Sequence, residues 1–319
     1  MLLRRIRRGV PASEGSGLRL SMGDDAALWR SRPGYEVVLT TDWFLEGVHF
    51  LGGLSPAEAV GWKCLARAAS DLAAMGAQPR CFLLSLAIPK SKTRRWLDGF
   101  LTGLRRAAQR LGCALAGGDT TRSEKAGISV SVVGEVRKGR AVLRSGARPG
   151  EVIYVSGRLG EAALGLRLLR RGEARTSALL RRHFYPEPRL ALGQWLAEKR
   201  LASAMMDLSD GLSSDLPRIC RASGAGARIV AEKIPTVRNG YREAAARIHA
   251  NPLELALDGG DDYELLFTVP QRLASKIPSA LRGVPLTAIG EITSGRNVVL
   301  VGEAGEKNPL RPAGWDPFR

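Results

Sequence analysis

The sequence predicts an α/β (α+β) fold in two domains, and three observations carry that reading. Apolar runs that alternate, or that are rich in β-branched residues, are interleaved with segments of helical period. The chain has 319 residues, about two domains at ~150 residues each. A polar, turn-rich joint, Arg144-Ser145-Gly146-Ala147-Arg148-Pro149-Gly150, lies near the middle, and the alternation restarts behind it. The expected domains are therefore residues 1–143 and 144–319.

In the first half, residues 35–42 (YEVVLTTD) form a β-branched strand. Ser55-Pro56-Ala57-Glu58 reads as a capping box with proline at the first helical position. The helix it opens runs through Trp62, Leu65, Ala69 and Leu72 and ends near Gly76, a left-handed cap. Residues 81–88 (CFLLSLAI) form a buried strand, and residues 96–111 an amphipathic helix with arginines on its polar face. Leu115-Ala116 leads into Gly117-Gly118-Asp119, and residues 128–136 (ISVSVVGEV) alternate as a strand. In the second half, strands are expected at 152–156, 228–230, 263–269, 284–290 and 297–301. Helices are expected at 160–169, 212–222 behind an acidic loop, and 251–257. The two halves show no sequence repeat.

Composition narrows the function classes. Hydrophobic residues make up 45% and charged residues 25%, an ordinary globular mix. No apolar run approaches the ~20 residues that span a bilayer. The first ten residues (MLLRRIRRGV) are basic and lack the apolar core of a signal peptide, so they read as a short amphipathic helix or a loose arm. Cys64, Cys81, Cys113 and Cys220 lie in apolar segments without C-x-x-C spacing, as reduced core thiols of a cytoplasmic protein do. The net charge of +17 suggests polyanionic partners, nucleic acid among them. Aromatic residues are only 6%, and the arginines scatter over several helices and loops, so neither a stacking platform nor a basic face for nucleic acid is indicated.

The common phosphate loops are absent: there is no G-x-x-x-x-G-K-[ST], no G-x-G-x-x-G behind a strand and no G-x-S-x-G elbow. What stands out is aspartate beside glycine or a hydroxyl residue at what read as element ends. The instances are Gly23-Asp24-Asp25, Thr40-Thr41-Asp42, Ser70-Asp71, Gly118-Asp119-Thr120, Asp207-Leu208-Ser209-Asp210-Gly211 and Gly260-Asp261-Asp262. A lone pair of this kind is most often a turn or a helix cap. Repetition in a chain with 31 acids against 48 bases points instead to a shared task. Grouped carboxylates need a counter-charge, and magnesium takes hard oxygen ligands and shares them with substrate phosphates. The residues alone thus point to a magnesium-dependent enzyme acting on phosphates.

The ordered series GDDAAL (23–28), TTDWFLEGVHF (40–50), ASDLAAMGAQP (69–79), GGDTTR (117–122), RSGARPGE (144–151), DLSDGL (207–212), GGDDYELLF (259–267) and GWDPF (314–318) resembles the thiamine-monophosphate kinase family. That family sits in the superfamily of aminoimidazole ribonucleotide synthetase, selenophosphate synthetase and the hydrogenase maturation dehydratase. The resemblance runs from about Gly23 to Phe318. It implies an aminoimidazole ribonucleotide synthetase-like fold whose N-terminal domain forms a β-barrel across a homodimer, with a C-terminal α/β domain beside it. It also implies direct transfer of the ATP γ-phosphoryl group to thiamine monophosphate, with several magnesium ions and no membrane or nucleic-acid partner.

Residue by residue, the resemblance implies magnesium ligands at Asp25, Thr40, Thr41, Asp42, Asp71, Asp119, Asp207 and Asp210. It implies ATP contacts at Gly118, Asp119, Arg144 and Ser209, and substrate contacts at His49, Asp261 and Trp315. No dedicated catalytic base is implied, because the acceptor phosphate is itself a nucleophile. Asp261 stands where the family often carries glutamate, and Pro317 where histidine is expected. The nearest alternative is another synthetase of the superfamily. A selenophosphate synthetase needs a reactive cysteine near its N-terminus, and no cysteine precedes Cys64. The dehydratase ends in a functional cysteine, whereas this chain ends Pro317-Phe318-Arg319.

Overall fold

In a computed structural model the chain divides into two compact units, Met1–Leu72 with Ala77–Gly139, and Ala73–Gly76 with Arg140–Arg319. The structure describes residues 5, 6, 8, 10, 17–22, 25–174, 176–316 and 318. The expected N-terminal arm lies largely outside the described residues, as do Gly23, Asp24, Pro317 and Arg319.

The first unit carries a short hairpin, β1 (Leu18–Leu20) with β2 (Leu28–Trp29), and a four-stranded mixed sheet. The sheet strands are β3 (Tyr35–Leu45), β4 (Gln78–Ile88), β5 (Ala114–Arg122) and β6 (Gly127–Arg137). Their order is β3-β6-β4-β5, with β4 and β5 parallel and the other pairs antiparallel. Helix α1 (Ala57–Ala74) precedes β4, and α2 (Arg95–Leu111) makes the crossover from β4 to β5. The strands alternate as a half-buried sheet should. Val38, Phe44, Phe82, Leu84, Leu86, Ile128, Val130 and Val132 are buried on one face, together with Leu65 and Leu72 of α1 and Leu97, Phe100 and Leu104 of α2. The other face leaves Val37, Leu39, Trp43 and Leu83 exposed, Leu39 by 71% and Trp43 by 60%. The helices cross with backbones almost touching: a Cβ on Gly103 would lie 1.8 Å from the Glu58 carbonyl oxygen, and one on Gly61 1.9 Å from that of Phe100.

The expected capping box does not form as such. The Ser55 backbone N–H donates to the Leu51 carbonyl, its hydroxyl accepts from the Leu51 N–H, and Glu58 pairs with Arg106 of α2. A tertiary ion pair has taken the carboxylate that a local cap would use. Gly76 does close α1 in the left-handed region, at φ 70°.

The second unit is built on an eight-stranded sheet. Its strands are β7 (Val152–Ser156), β8 (Ala204–Asp207), β9 (Gly226–Val230), β10 (Leu265–Val269), β11 (Ala280–Leu281), β12 (Val284–Thr293), β13 (Val298–Val301) and β14 (Lys307–Pro309). The order is β14-β13-β9-β12-β7-β10-β8, with β11 hairpinned onto β12 and only β13–β9 parallel. Helices α3 (Glu161–Arg170), α4 (Arg181–Phe184), α5 (Leu190–Glu198), α6 (Leu212–Ser223), α7 (Asn239–Arg247) and α8 (Pro252–Asp258) complete it. Both sheet faces are covered. Ile153, Val155, Met206 and Leu266 pack with Leu216 and Ile219 of α6, whereas Tyr154, Met205, Leu265 and Phe267 pack with Leu192 and Leu196 of α5. Strand β8 and helices α5 and α7 were not visible in the sequence pattern. They are short, and burial on both sheet faces erases period-two alternation from β8 (AMMD), all four residues of which are buried.

Candidate active site

Three of the aspartate motifs lie inside regular elements, two of them in the strand and the helix expected there. Thr40, Thr41 and Asp42 sit within edge strand β3, Asp71 within the last turn and a half of α1, and Asp119 within the other edge strand, β5. Edge strands tolerate polar residues because one of their sides is not buried in the ladder.

In the first unit the sheet and α1 bring two predicted residues together. The Thr40 hydroxyl donates to Asp71 Oδ2 at 2.5 Å. Two residues along β3, Asp42 Oδ2 lies 3.9 Å from Arg67 Nε, one helical turn before Asp71. Two strand residues advance ~6.6 Å and four helical residues ~6 Å, so the antiparallel strand and helix match in step. Arg67 also lies over the Phe44 ring, 5.2 Å from its centroid. Thr41 points to the opposite face, where its hydroxyl is 2.9 Å from that of Ser131.

Asp119 stands apart from these. The pairing puts Asp42 in a row with Val130, Leu84 and Gly118, and Asp119 in the row of Ser85, Ser129 and Trp43. Asp42 and Asp119 thus belong to opposite sheet edges, three strand spacings or roughly 14 Å apart. A bulge between Phe82 and Leu83 precedes the Gly117-Gly118 pair. Gly118 (φ 152°) admits no side chain, since a Cβ would meet the Leu84 carbonyl oxygen at 1.9 Å. The bulge and this glycine together aim Asp119, whose Oδ1 accepts the Thr120 N–H at 2.8 Å.

His49 lies in the turn that leaves β3. Its Nδ1 accepts the Leu45 N–H at 3.0 Å, so the neutral ring carries its proton on Nε2. Asp25 lies exposed ahead of β2.

The second unit assembles a tighter group. The Ser209 carbonyl accepts the Asp261 N–H at 2.7 Å, and the Asp210 carbonyl accepts the Trp315 N–H at 2.9 Å. Ser209, Asp210, Asp261 and Trp315 are therefore neighbours, and Asp207 ends the adjacent strand β8. Trp315 is 47% exposed, so its ring is open to a ligand. Asp261 and Tyr263 adopt left-handed φ values of 65° and 52°, costly for non-glycine residues and typical of functional loops. The Tyr263 hydroxyl donates to Asp261 Oδ1 at 2.8 Å, and His183 Nδ1 lies 3.6 Å from Oδ2. Arg144 is exposed on a loop that Ser223 pins, its hydroxyl donating to the Arg144 carbonyl and accepting the Ala147 N–H.

Residues outside the predicted set hold this geometry. Asp215, fully buried in the first turn of α6, accepts the N–H groups of Asp210 and Gly211, each at 3.1 Å. Burial, with the charge of Asp210 beside it, pushes its carboxyl up to about 7. Arg218 bridges Asp210 and Asp215 at 2.6 and 2.5 Å. Asp262 accepts the Gly160 N–H with both oxygens, and desolvation holds its carboxyl well above the usual range. An acid in the first helical turn was the available signal for Asp215, but it reads equally as a helix-dipole partner.

Among the described residues no three acidic, histidine or cysteine side chains form a ready-made metal cage. The donors present still suit magnesium. Asp71 and Thr40 form a small hard-oxygen set, and magnesium keeps several waters and completes its shell with substrate phosphates.

Residues 23–136 match the AIR synthase related protein N-terminal domain, and residues 148–303 its C-terminal domain. Over 311 residues the chain is 39% identical to the thiamine-monophosphate kinase of Escherichia coli (strain K12), covering 94% of this chain and 92% of that one. The chain belongs to the thiamine-monophosphate kinase family. The family enzyme of Aquifex aeolicus (strain VF5) is 37% identical, covering 89% of this chain and 88% of its own. The crystal structure of the kinase from Stenotrophomonas maltophilia K279a superposes with a TM-score of 0.84 at 38% identity, covering 95% of this chain and 96% of that one. A second solved family member, AaThiL complexed with AMPPCP and TMP, superposes at 0.79 with 36% identity, covering 92% and 91%. The hydrogenase maturation protein HypE of E. coli shares the fold, at 0.81 and 20% identity. The two-domain aminoimidazole ribonucleotide synthetase-like architecture expected from the sequence is therefore the fold of this chain.

Proposed function

We propose that this protein transfers the γ-phosphoryl group of ATP to thiamine monophosphate, giving thiamine diphosphate and ADP. The observation that carries this is end-to-end likeness to thiamine-monophosphate kinases, one of them bound to AMPPCP and TMP. ATP is the co-substrate. A phosphate oxygen of thiamine monophosphate attacks the γ-phosphorus in line, and the bond to the β–γ bridging oxygen breaks. Both reactants are anionic, so catalysis is positioning plus neutralisation of charge.

In this reading residues 1–143 serve ATP, magnesium and dimerisation, and residues 144–319 complete the nucleotide and substrate contacts. Asp25, Asp42, Asp71, Asp119, Asp207 and Asp210, with Thr40 and Thr41, would hold magnesium, which when bound neutralises phosphate oxygens. Thr40 orients the Asp71 carboxylate through its hydroxyl. His49 donates from Nε2–H to the acceptor phosphate. Arg144 offers its planar fork to ATP oxygens, and Gly118 and Ser209 are further ATP contacts. Trp315 stacks on the thiazolium ring, a contact of about 0.5–2 kcal/mol, and Asp261 binds the thiamine moiety.

A homodimer is supported by Leu39 and Trp43, exposed on the face of the first sheet that the β1–β2 hairpin covers only in part, and by the edges β3 and β5, which pair with no further strand among the described residues. The four free, buried cysteines support the cytoplasm as its compartment. No described helix is long and apolar enough to cross a membrane. Incubation with ATP, magnesium and thiamine monophosphate, followed by chromatography for thiamine diphosphate, tests the reading. Absence of product at every magnesium concentration would overturn it.

A further inference from the structure

The second unit holds a pocket of about 340 Å³ that none of the predicted site residues lines. It opens where β7 ends and β12 begins, at the start of α3. Arg158, Arg182, Arg189, Arg238 and Arg282 line it, brought together only by folding.

The arginines fall into two groups. Glu161, 2% exposed, lies 3.4 Å from Nε of both Arg182 and Arg238, and so braces two guanidinium groups at the pocket wall. Arg189 is tied to Glu264 and lies 4.0 Å from Glu187. Arg158 and Arg282 make no ion pair among the described residues; the former donates to the Thr236 carbonyl at 3.3 Å. Five guanidinium charges thus face three carboxylates, Glu161, Glu187 and Glu264, leaving two positive charges over. The α3 N-terminus is not what an anion would meet, because the Gly160 N–H is already taken by Asp262.

The placement of Arg282 is unusual. Leu281 pairs with Val284, so Arg282 and Gly283 form a two-residue hairpin turn with φ values of 48° and 79°. Such turns favour Asn-Gly, and an arginine in the first left-handed position is disfavoured on backbone grounds. Here it sets a guanidinium at the pocket mouth.

We propose that this pocket is a second anion site, which takes a small phosphorylated molecule through its phosphate or diphosphate group. Arg158 and Arg282 grip the oxygens against the wall that Glu161 braces. Planar guanidinium forks match phosphate geometry in bidentate fashion, and two uncompensated charges suit a dianion. A pocket of this volume holds one small molecule, whereas a nucleic acid needs an extended basic face.

Calorimetric titration with pyrophosphate in EDTA tests the proposal on the intact chain and on the double variant R158A/R282G. Glycine suits the left-handed turn position, so lost folding cannot mimic lost binding there, and R282G alone is read if the double variant is unstable by circular dichroism. The expected result is binding weakened at least tenfold in the variant and only partly recovered in R158K/R282K, which keeps the charges but not the bidentate forks, with kcat and KM for ATP and thiamine monophosphate unchanged. Equal affinity in both proteins, or no binding to either, overturns it. Binding of a DNA duplex in place of pyrophosphate, lost in the same variant, overturns it as well. Loss of kcat/KM alongside binding would merge the pocket with the kinase site and overturn its independence.

Discussion

Thr40 of β3 donates its hydroxyl to Asp71 of α1 at 2.5 Å, joining a strand residue and a helix residue that are 31 positions apart. The bond takes one lone pair of the carboxylate and leaves its orientation set before any cation arrives. An adjacent threonine, Thr41, faces the other way. The pleat alone separates the two hydroxyls.

This pair makes a graded prediction. Asp71→Asn should abolish turnover with the fold retained, whereas Thr40→Val, which removes one neutral hydroxyl donor and the partner that orients Asp71, should cost about 10–100-fold. Rates measured across a magnesium titration should show the Thr40→Val loss partly recovered at high magnesium. An Asp71→Asn enzyme with unaltered rates would remove that residue from the metal set.

The exposed apolar part of that sheet face predicts an assembly. Leu39 and Trp43 are 71% and 60% exposed in one copy, so Leu39→Glu or Trp43→Glu should not disturb the packing of that copy. Either should convert a dimer to a monomer by light scattering, with activity lost. A monomeric, active parent protein would count against the dimer.

The helix crossing in the first unit predicts a steric cost. Gly103→Ala drives a methyl group against the Glu58 carbonyl, a backbone atom that cannot swing aside. Overpacking of this kind costs about 1–3 kcal/mol. Denaturant melts should show it, and Gly139→Ala, at a turn with open space, should lose less and only through its positive φ.

The thiols predict a pH response. Burial pushes Cys64 up to about 12 and Cys81 and Cys220 up to about 11, and drives Cys113 upward too. Each is raised relative to the unfolded chain. Its favourable contribution is therefore full below the ordinary thiol value and is lost as pH climbs towards 11–12. The folded protein should resist iodoacetamide at pH 8 and label at all four cysteines once denatured. Rapid labelling of the native protein would contradict this burial.

Much of this protein was legible in the chain itself. β-Branched residues located β3, a continuous apolar run located β4, period-two alternation located β6, proline and glycine bounded α1, and the ordered aspartate motifs identified the family and its chemistry. Those signals are local, arising from backbone sterics and side-chain spacing that each segment carries alone. Tertiary structure decided the rest. It showed that the Thr40–Asp42 and Asp119 motifs are edge-strand residues, that Asp42 and Asp119 stand on opposite edges of one sheet, and that Asp215 anchors the Asp210 loop. It also gathered five scattered arginines into a pocket. Strand register, sheet order and helix docking make these neighbours, and each depends on burying surface contributed by segments far apart in the sequence, which no single segment encodes.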